Sequence, residues 1–369
     1  MDALSAILST RQASITFFGT NVFKYIDAPA RDGFGGVKTT TNQGVYSMKL
    51  RHTLLGLLAS AAIIPTAASA QTVLRLAENQ PDSNPVTVAM YRFAELVSEY
   101  TDGEIEVQVF SGAQLGQEPE TIEQAQAGII DFTRVNSVGL ANVSPSMGAF
   151  TLPYVFADWD HKYRVLDGDI GQEVLADLED VGLKGFAYMD AGARSFYTVE
   201  GVTISSIEDL EGLKIRVQPA PISIRMMELL GAVPTPMNYG EVYSALQTGV
   251  IDGAENDFVS YHTSAHYEVA PNYVIDAHLS PPALLLMNKA RFDSLSPEHQ
   301  EAVTQAAVEA SMYEREIMRE ANEEARETVV EGGATVNEID NGPFQEAVQP
   351  IYEEFPDLMP LLERIQAAK

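Results

Sequence analysis

Gln247-Thr248-Gly249-Val250-Ile251-Asp252 reads as the end of a helix, a glycine stop and a short buried strand that closes on an acid. Glycine suits that place because the residue just past a helix commonly turns left-handed. The same phrase stands 121 residues earlier as Gln126-Ala127-Gly128-Ile129-Ile130-Asp131. Two copies of one helix–turn–strand unit imply two similar α/β lobes. In open α/β sheets ligands gather beyond the carboxyl ends of the strands. Asn136 and Asn256, just past each unit, are therefore expected to face a shared cleft.

Working outward, Val73–Ala77 reads as a short strand. Met90, Phe93, Ala94 and Val97 recur at helical spacing between Val86 and Tyr100. Glu104–Val109 alternates as a half-buried strand does. A helix over Glu120–Ala127 and a strand over Ile129–Phe132 follow, and the alternation continues to about residue 290. That rhythm implies parallel or mixed sheets flanked by helices. Ser296-Pro297-Glu298 opens a long helix, with Ser as N-cap and Pro in its first position. It runs to about Val330; a strand near Thr335–Val336 and a final helix near Phe344–Gln366 close the chain.

The 369 residues suggest two to three domains, and 46% apolar residues with a mean hydropathy of −0.05 exclude a disordered or polytopic membrane chain. With 23 Lys and Arg against 52 Asp and Glu, the surface repels phosphate backbones, so no nucleic-acid partner is expected. The absence of cysteine excludes disulfides, thiolate metal sites and thiol nucleophiles. The first 70 residues differ in character, with six basic and three acidic side chains. Met48-Lys49-Leu50-Arg51-His52 is basic, Leu54–Ile64 is apolar, and Ala68-Ser69-Ala70 supplies small residues: a secretory signal over 48–70, cleaved after Ala70. This apolar stretch of 11 residues, with one Gly and one Ser, is too short to span a bilayer. Residues 1–47 are then expected to be an upstream extension from a mis-assigned start. Residues 71–369 are expected to be an exported, periplasmic protein that does not itself span the membrane.

The sequence has no G-x-S-x-G elbow, phosphate loop or dinucleotide fingerprint. His262 and His266 lie four apart, but Thr263 stands where a zinc protease needs Glu, and they read as partly buried or solvated histidines. No catalytic residue, metal or cofactor is expected. Arginine is scarce, and two positions stand out: Arg194 in Gly192-Ala193-Arg194-Ser195-Phe196-Tyr197, and Arg216 in Leu213-Lys214-Ile215-Arg216-Val217. Each could close a surface ion pair or grip a carboxylate with its planar fork. In so acidic a chain, an anion site must rest on short-range arginine contacts.

Several segments together resemble one family. They are Arg75-Leu76-Ala77-Glu78-Asn79-Gln80-Pro81, Gln114-Leu115-Gly116, both arginine segments, and Tyr239-Gly240-Glu241-Val242-Tyr243 continuing through Gly253-Ala254-Glu255-Asn256. Across nearly all of residues 71–369 the chain is similar to the DctP-type solute-binding subunits of TRAP transporters. The resemblance implies a two-lobed periplasmic-binding-protein-like fold of type II, α/β, with mixed sheets, flanking helices and a long helix spanning both lobes. Lobe I would comprise 71–191 plus about 282–321, and lobe II 192–281 plus about 322–369. The implied partners are a carboxylate ligand and the membrane subunits of a cation-driven permease.

Arg216 matches the family arginine that holds the ligand carboxylate, Arg194 its assistant, and Asn256 the amide that helps fix it. Tyr239 falls where the family sets an aromatic ring against the ligand. Glu78 and Asn136 match positions that meet the rest of the ligand in the sialic-acid branch, where an amide and an acid usually stand instead. Glu78, Asn79, Asn136, Asp190, Glu255 and Asn256 would supply the directional partners that a hydroxyl-rich ligand requires. The favoured ligand is a sugar acid, a hexuronate or aldonate. A C4-dicarboxylate receptor is the alternative, but it wants a further strong cation, and Arg134 is expected to be solvated. A secreted α/β hydrolase or lyase is the competing class, without a visible nucleophile–base pair, and an ABC-type receptor or sensor is a third reading.

Overall fold

The computed structural model describes residues 71–369. The expected signal segment 48–70 and the extension 1–47 lie outside the described residues. Among the described residues there are eleven strands: β1 (Thr72–Ala77), β2 (Ile105–Phe110), β3 (Phe132–Asn136), β4 (Leu183–Met189), β5 (Arg194–Thr198), β6 (Lys214–Val217), β7 (Val233–Pro236), β8 (Gly253–Asn256), β9 (Asn272–Leu279), β10 (Ala283–Asn288) and β11 (Thr335–Glu338). They form a five-stranded sheet in the order β2-β1-β3-β10-β4 and a six-stranded one in the order β11-β9-β5-β8-β6-β7. Both are mixed. In the first, β1 runs parallel to β2 and β3, while β10 is antiparallel to β3 and β4. In the second, β6 is parallel to β7 and β8, whereas β5 is antiparallel to β8 and β9.

The chain passes from the first sheet to the second through Asp190–Ala193 and returns through Ser280–Pro282. A third tie is the helix Pro297–Glu331, 35 residues long and capped by the Ser296 side chain on the His299 N–H. Its first half lays Val303, Ala306, Ala307 and Ala310 into the core that holds Phe93 and Phe132. Small side chains there let it approach the helix Pro85–Tyr100. Its second half lays Met318, Ala325 and Val329 against Tyr197, Tyr261 and Tyr273. One helix thus contributes to both cores, and each buried aromatic adds about 1.5–3 kcal/mol of apolar burial.

Two expectations need correction. β3 begins at Phe132 and β8 at Gly253, three residues later than the sequence pattern suggested. The intervening residues complete the helix stops: the Ile129 N–H returns to Gln124 O and the Val250 N–H to Ala245 O, both at 2.9 Å. Gly128 and Gly249 each sit at φ +70 to allow this reversal. Ile129 and Val250 are consequently exposed rather than buried. The expected single final helix is instead three, Gly342–Val348, Ile351–Glu354 and Met359–Ala367. Pro350 and Pro356 interrupt it, since proline cannot donate within a helix and crowds the preceding turn. The last of these helices docks on the first-sheet side, where the His161 ring meets Ile365 O at 2.8 Å. Among the described residues no helix is long and apolar enough to cross a membrane.

Candidate ligand cleft

A cleft opens between the two sheets at their strand ends. From the first lobe come Asn79 and Gln80 after β1, Gln117 and Glu118 where the helix Glu118–Gln126 begins, and Arg134 and Asn136 on β3. From the second come Arg194, Arg216, Tyr239, Asn256 and Asp257. The lobes also touch directly across it. Asn142 Nδ2 donates to Pro219 O at 3.0 Å and the Gly240 N–H to Gln117 Oε1 at 3.4 Å.

Arg216 is the distinctive group. Its side chain is buried, and its Nε and Nη2 both donate to Met237 O at 3.1 and 3.0 Å. Of the three buried arginines it alone has no carboxylate within ion-pair distance among the described residues. Burial, with Arg194 nearby, holds its pKa below the usual arginine value. The Tyr239 ring lies 5.8 Å from the guanidinium, and the Tyr239 hydroxyl is tied to Ser264 Oγ at 2.6 Å, so the ring flanks the charge. A buried guanidinium without a counter-charge is costly to maintain, and an incoming carboxylate relieves that cost.

Arg194, by contrast, has four of its five N–H donors engaged. Its Nε donates to Glu255 Oε2, its Nη2 to Glu255 Oε1 at 2.9 Å and to Glu255 O at 2.8 Å, and its Nη1 to Asn256 Oδ1 at 2.6 Å. Glu255 is held behind the wall by this grip, and His278 Nε2 lies 3.7 Å from it. Although burial opposes ionisation, Arg194 and His278 hold the Glu255 carboxyl down at about 2. Burial would also discharge His278, but Asp276 at 2.8 Å and Glu255 raise it to about 9.

Arg134 is not solvated as the sequence suggested. Every residue of β3 is buried, because the strand lies between β1 and β10. Glu78 takes Arg134 through both carboxylate oxygens, and Asn79 Oδ1 accepts from its Nη2 at 2.8 Å. Glu78 therefore stands behind the wall, as Glu255 does, rather than on it. Asp190 is likewise placed at the crossing segment, paired with Lys162 at 2.8 Å. Asn136 lines the cleft while its Oδ1 caps the short helix Ser137–Leu140. Asn256 Oδ1 also accepts from the Asp257 N–H at 3.0 Å.

Sequence reasoning missed Gln117, Glu118 and Gln218. The available signal was weak: Glu118-Pro119 opens a helix that follows a strand of the first sheet, a place where strand-end ligands collect. His266 is buried against the Tyr197 hydroxyl at 2.8 Å, and burial, then Arg216, lowers it to about 3. Among the described residues no group of His, Asp and Glu side chains is arranged to hold a metal ion.

Residues 76–357 match the family model described as DctP, bacterial extracellular solute-binding protein, family 7. A TRAP periplasmic solute-binding protein from Xanthobacter autotrophicus Py2, solved with bound β-D-galacturonate, is 44% identical, covers 80% of this chain and 100% of that one, and superposes with a TM-score of 0.78. The corresponding protein from Roseobacter denitrificans, solved with β-D-glucuronate, is 40% identical with the same coverage and TM-score. The 2,3-diketo-L-gulonate-binding periplasmic protein of Escherichia coli K12 is 33% identical over 82% of this chain and 92% of its own length.

Proposed function

Because the chain belongs to the DctP family of TRAP periplasmic solute-binding proteins, we propose that it captures a monocarboxylate sugar acid, a hexuronate or an aldonate, in the cleft between its lobes. The family binds and delivers; it is not enzymatic. The observation that carries this reading is Arg216, a buried guanidinium with no carboxylate within ion-pair distance among the described residues. A ligand carboxylate would take its free Nη1 edge, with Asn256 beside it and the Tyr239 ring flanking. Arg194 would stand next to that carboxylate already oriented by Glu255. Asn79, Asn136, Gln117 and Glu118 would meet the hydroxyls. The relatives solved with galacturonate and glucuronate support the same class of ligand.

On this reading residues 71–191 and about 282–321 move as one lobe, carrying the last helix, Met359–Ala367, docked on them, and 192–281 with the rest of the chain after about 322 move as the other. The closed, loaded form is what the membrane subunits of a cation-driven permease would receive. Export would use the segment 48–70, with Gln71 as the mature N-terminus. Calorimetry with D-galacturonate, D-glucuronate, D-galactonate, succinate and malate tests the ligand class. Saturable binding of at least one sugar acid, tighter than either dicarboxylate, is expected. Tighter binding of a dicarboxylate, or turnover of a sugar acid, would overturn it.

A further inference from the structure

Two acidic side chains line the cleft, and they are not equivalent. Asp257, on the second-lobe wall, is occupied in capping the helix Phe258–Thr263 through the Ser260 N–H at 2.9 Å. Glu118, on the first-lobe wall, has only partial compensation. Its Oε1 accepts the Asn136 N–H at 3.1 Å and lies 3.6 Å from Arg134 Nη1. Its Oε2 accepts from Gln218 Nε2, across the cleft, at 3.4 Å. Arg134 is already committed to Glu78 by its two shortest contacts. The first-lobe wall therefore sets two carboxylates against one guanidinium, while on the opposite wall Arg216 has no carboxylate within ion-pair distance among the described residues. The cleft is polarised, cationic at one end and anionic at the other.

From this arrangement, and resting on the sugar-acid reading, we infer that Glu118 determines specificity: it accepts a hydroxyl at the far end of a ligand held by Arg216 and excludes ligands with a second carboxylate there. An ionised carboxylate only accepts, so it demands a donor, which a hydroxyl supplies. A second carboxylate supplies none and adds like-charge repulsion in a buried site. Burial raises the Glu118 pKa, against the pull of Arg134, which fits a carboxylate lacking a full counter-charge. Gln218, reaching Glu118 from the other lobe, links the same carboxylate to closure.

The test pairs two open-chain ligands of one stereochemistry, D-galactonate and galactarate, which differ by a terminal hydroxymethyl against a carboxylate. Calorimetry compares the wild type with Glu118→Gln and Glu118→Asp, each first checked for native unfolding behaviour. The wild type is expected to prefer galactonate. Glu118→Gln should weaken galactonate and narrow the galactonate-to-galactarate ratio by about 10- to 100-fold. Glu118→Asp keeps the charge and should still reject galactarate. An unchanged ratio in Glu118→Gln, or free entry of galactarate in Glu118→Asp, overturns the inference. A wild type that binds no sugar acid, galactonate included, fails the ligand reading itself, which is a separate result.

Discussion

Asp131 and Asp252 perform the same task in the two lobes. The Asp131 carboxylate accepts the Arg75 N–H at 2.8 Å, and the Asp252 carboxylate accepts the Lys214 N–H at 2.8 Å. Each follows a left-handed glycine and pins the next strand to its parallel neighbour, β3 to β1 and β8 to β6. Each pinned strand then ends on a cleft asparagine, Asn136 or Asn256. The duplication therefore sets the height at which each sheet delivers its polar side chain.

Asp131→Ala and Asp252→Ala should each destabilise the protein by about 1–2 kcal/mol, the cost of stranding one backbone donor that used a charged acceptor. The sites lie in different sheets, so their effects should add within about 0.5 kcal/mol. Urea denaturation measures this. A negligible effect at either position would show that the carboxylate is incidental to the strand pairing.

Arg216→Ala should weaken sugar-acid binding about 30-fold to several thousand-fold, the range for removing one partner of a desolvated ion pair. Arg216→Lys should remain poor, because an ammonium cannot present two parallel donors. Since Arg216 has no carboxylate within ion-pair distance among the described residues and its burial is costly, its removal should leave thermal stability unchanged or raised. Unimpaired affinity in the folded alanine variant would show that the carboxylate lies elsewhere.

The helix stops at Gly128 and Gly249 and the N-cap of the long helix were legible because they are decided within a few residues. Burial of Arg134 was not, since it depends on β10 returning from more than a hundred residues away to cover β3. Glu255 and Asn256 illustrate another boundary. Successive strand residues point to opposite faces, so only one of the two could face the cleft, and the sequence alone does not say which. The pairing of Ser195 with Asn256 decides it, because it brings Arg194 beside Glu255 and leaves the amide at the wall. The breaks at Pro350 and Pro356 were written in the sequence; the apolar spacing of the final segment obscured them.

His278 should make stability depend on pH. Burial opposes its charge, but Asp276 and Glu255 raise its pKa from 6.5 to about 9 in the folded state. The protonated ring therefore stabilises the fold fully below about pH 6.5, and that contribution fades as pH rises towards 9. Glu255 behaves oppositely: its carboxyl, lowered from 4.5 to about 2, stabilises above 4.5 and loses that contribution as pH falls towards 2. The His278 contribution lost between pH 6.5 and 9 amounts to roughly 3 kcal/mol. Wild-type stability should fall across that window more steeply than that of His278→Gln. Parallel profiles for the two proteins would remove His278 from the account.

Closure should be held partly by bonds that never touch the ligand. Asn84 Nδ2 reaches across to Thr263 Oγ1 at 3.3 Å, and neither residue lines the cleft. Thr263→Val removes that acceptor while leaving the Asn84 side chain to cap the helix Pro85–Tyr100 through the Val86 N–H. One such bond contributes about 0.5–1.5 kcal/mol, so the ligand should leave the variant roughly 2- to 10-fold faster. The association rate should change little, because the ligand enters the open form, in which the bond is already broken. Small-angle scattering should show the wild-type radius of gyration falling on addition of a sugar acid, with the variant needing more ligand to reach the same value. A radius that does not move at saturation, with unaltered dissociation from Thr263→Val, would mean that the lobes form a rigid cleft.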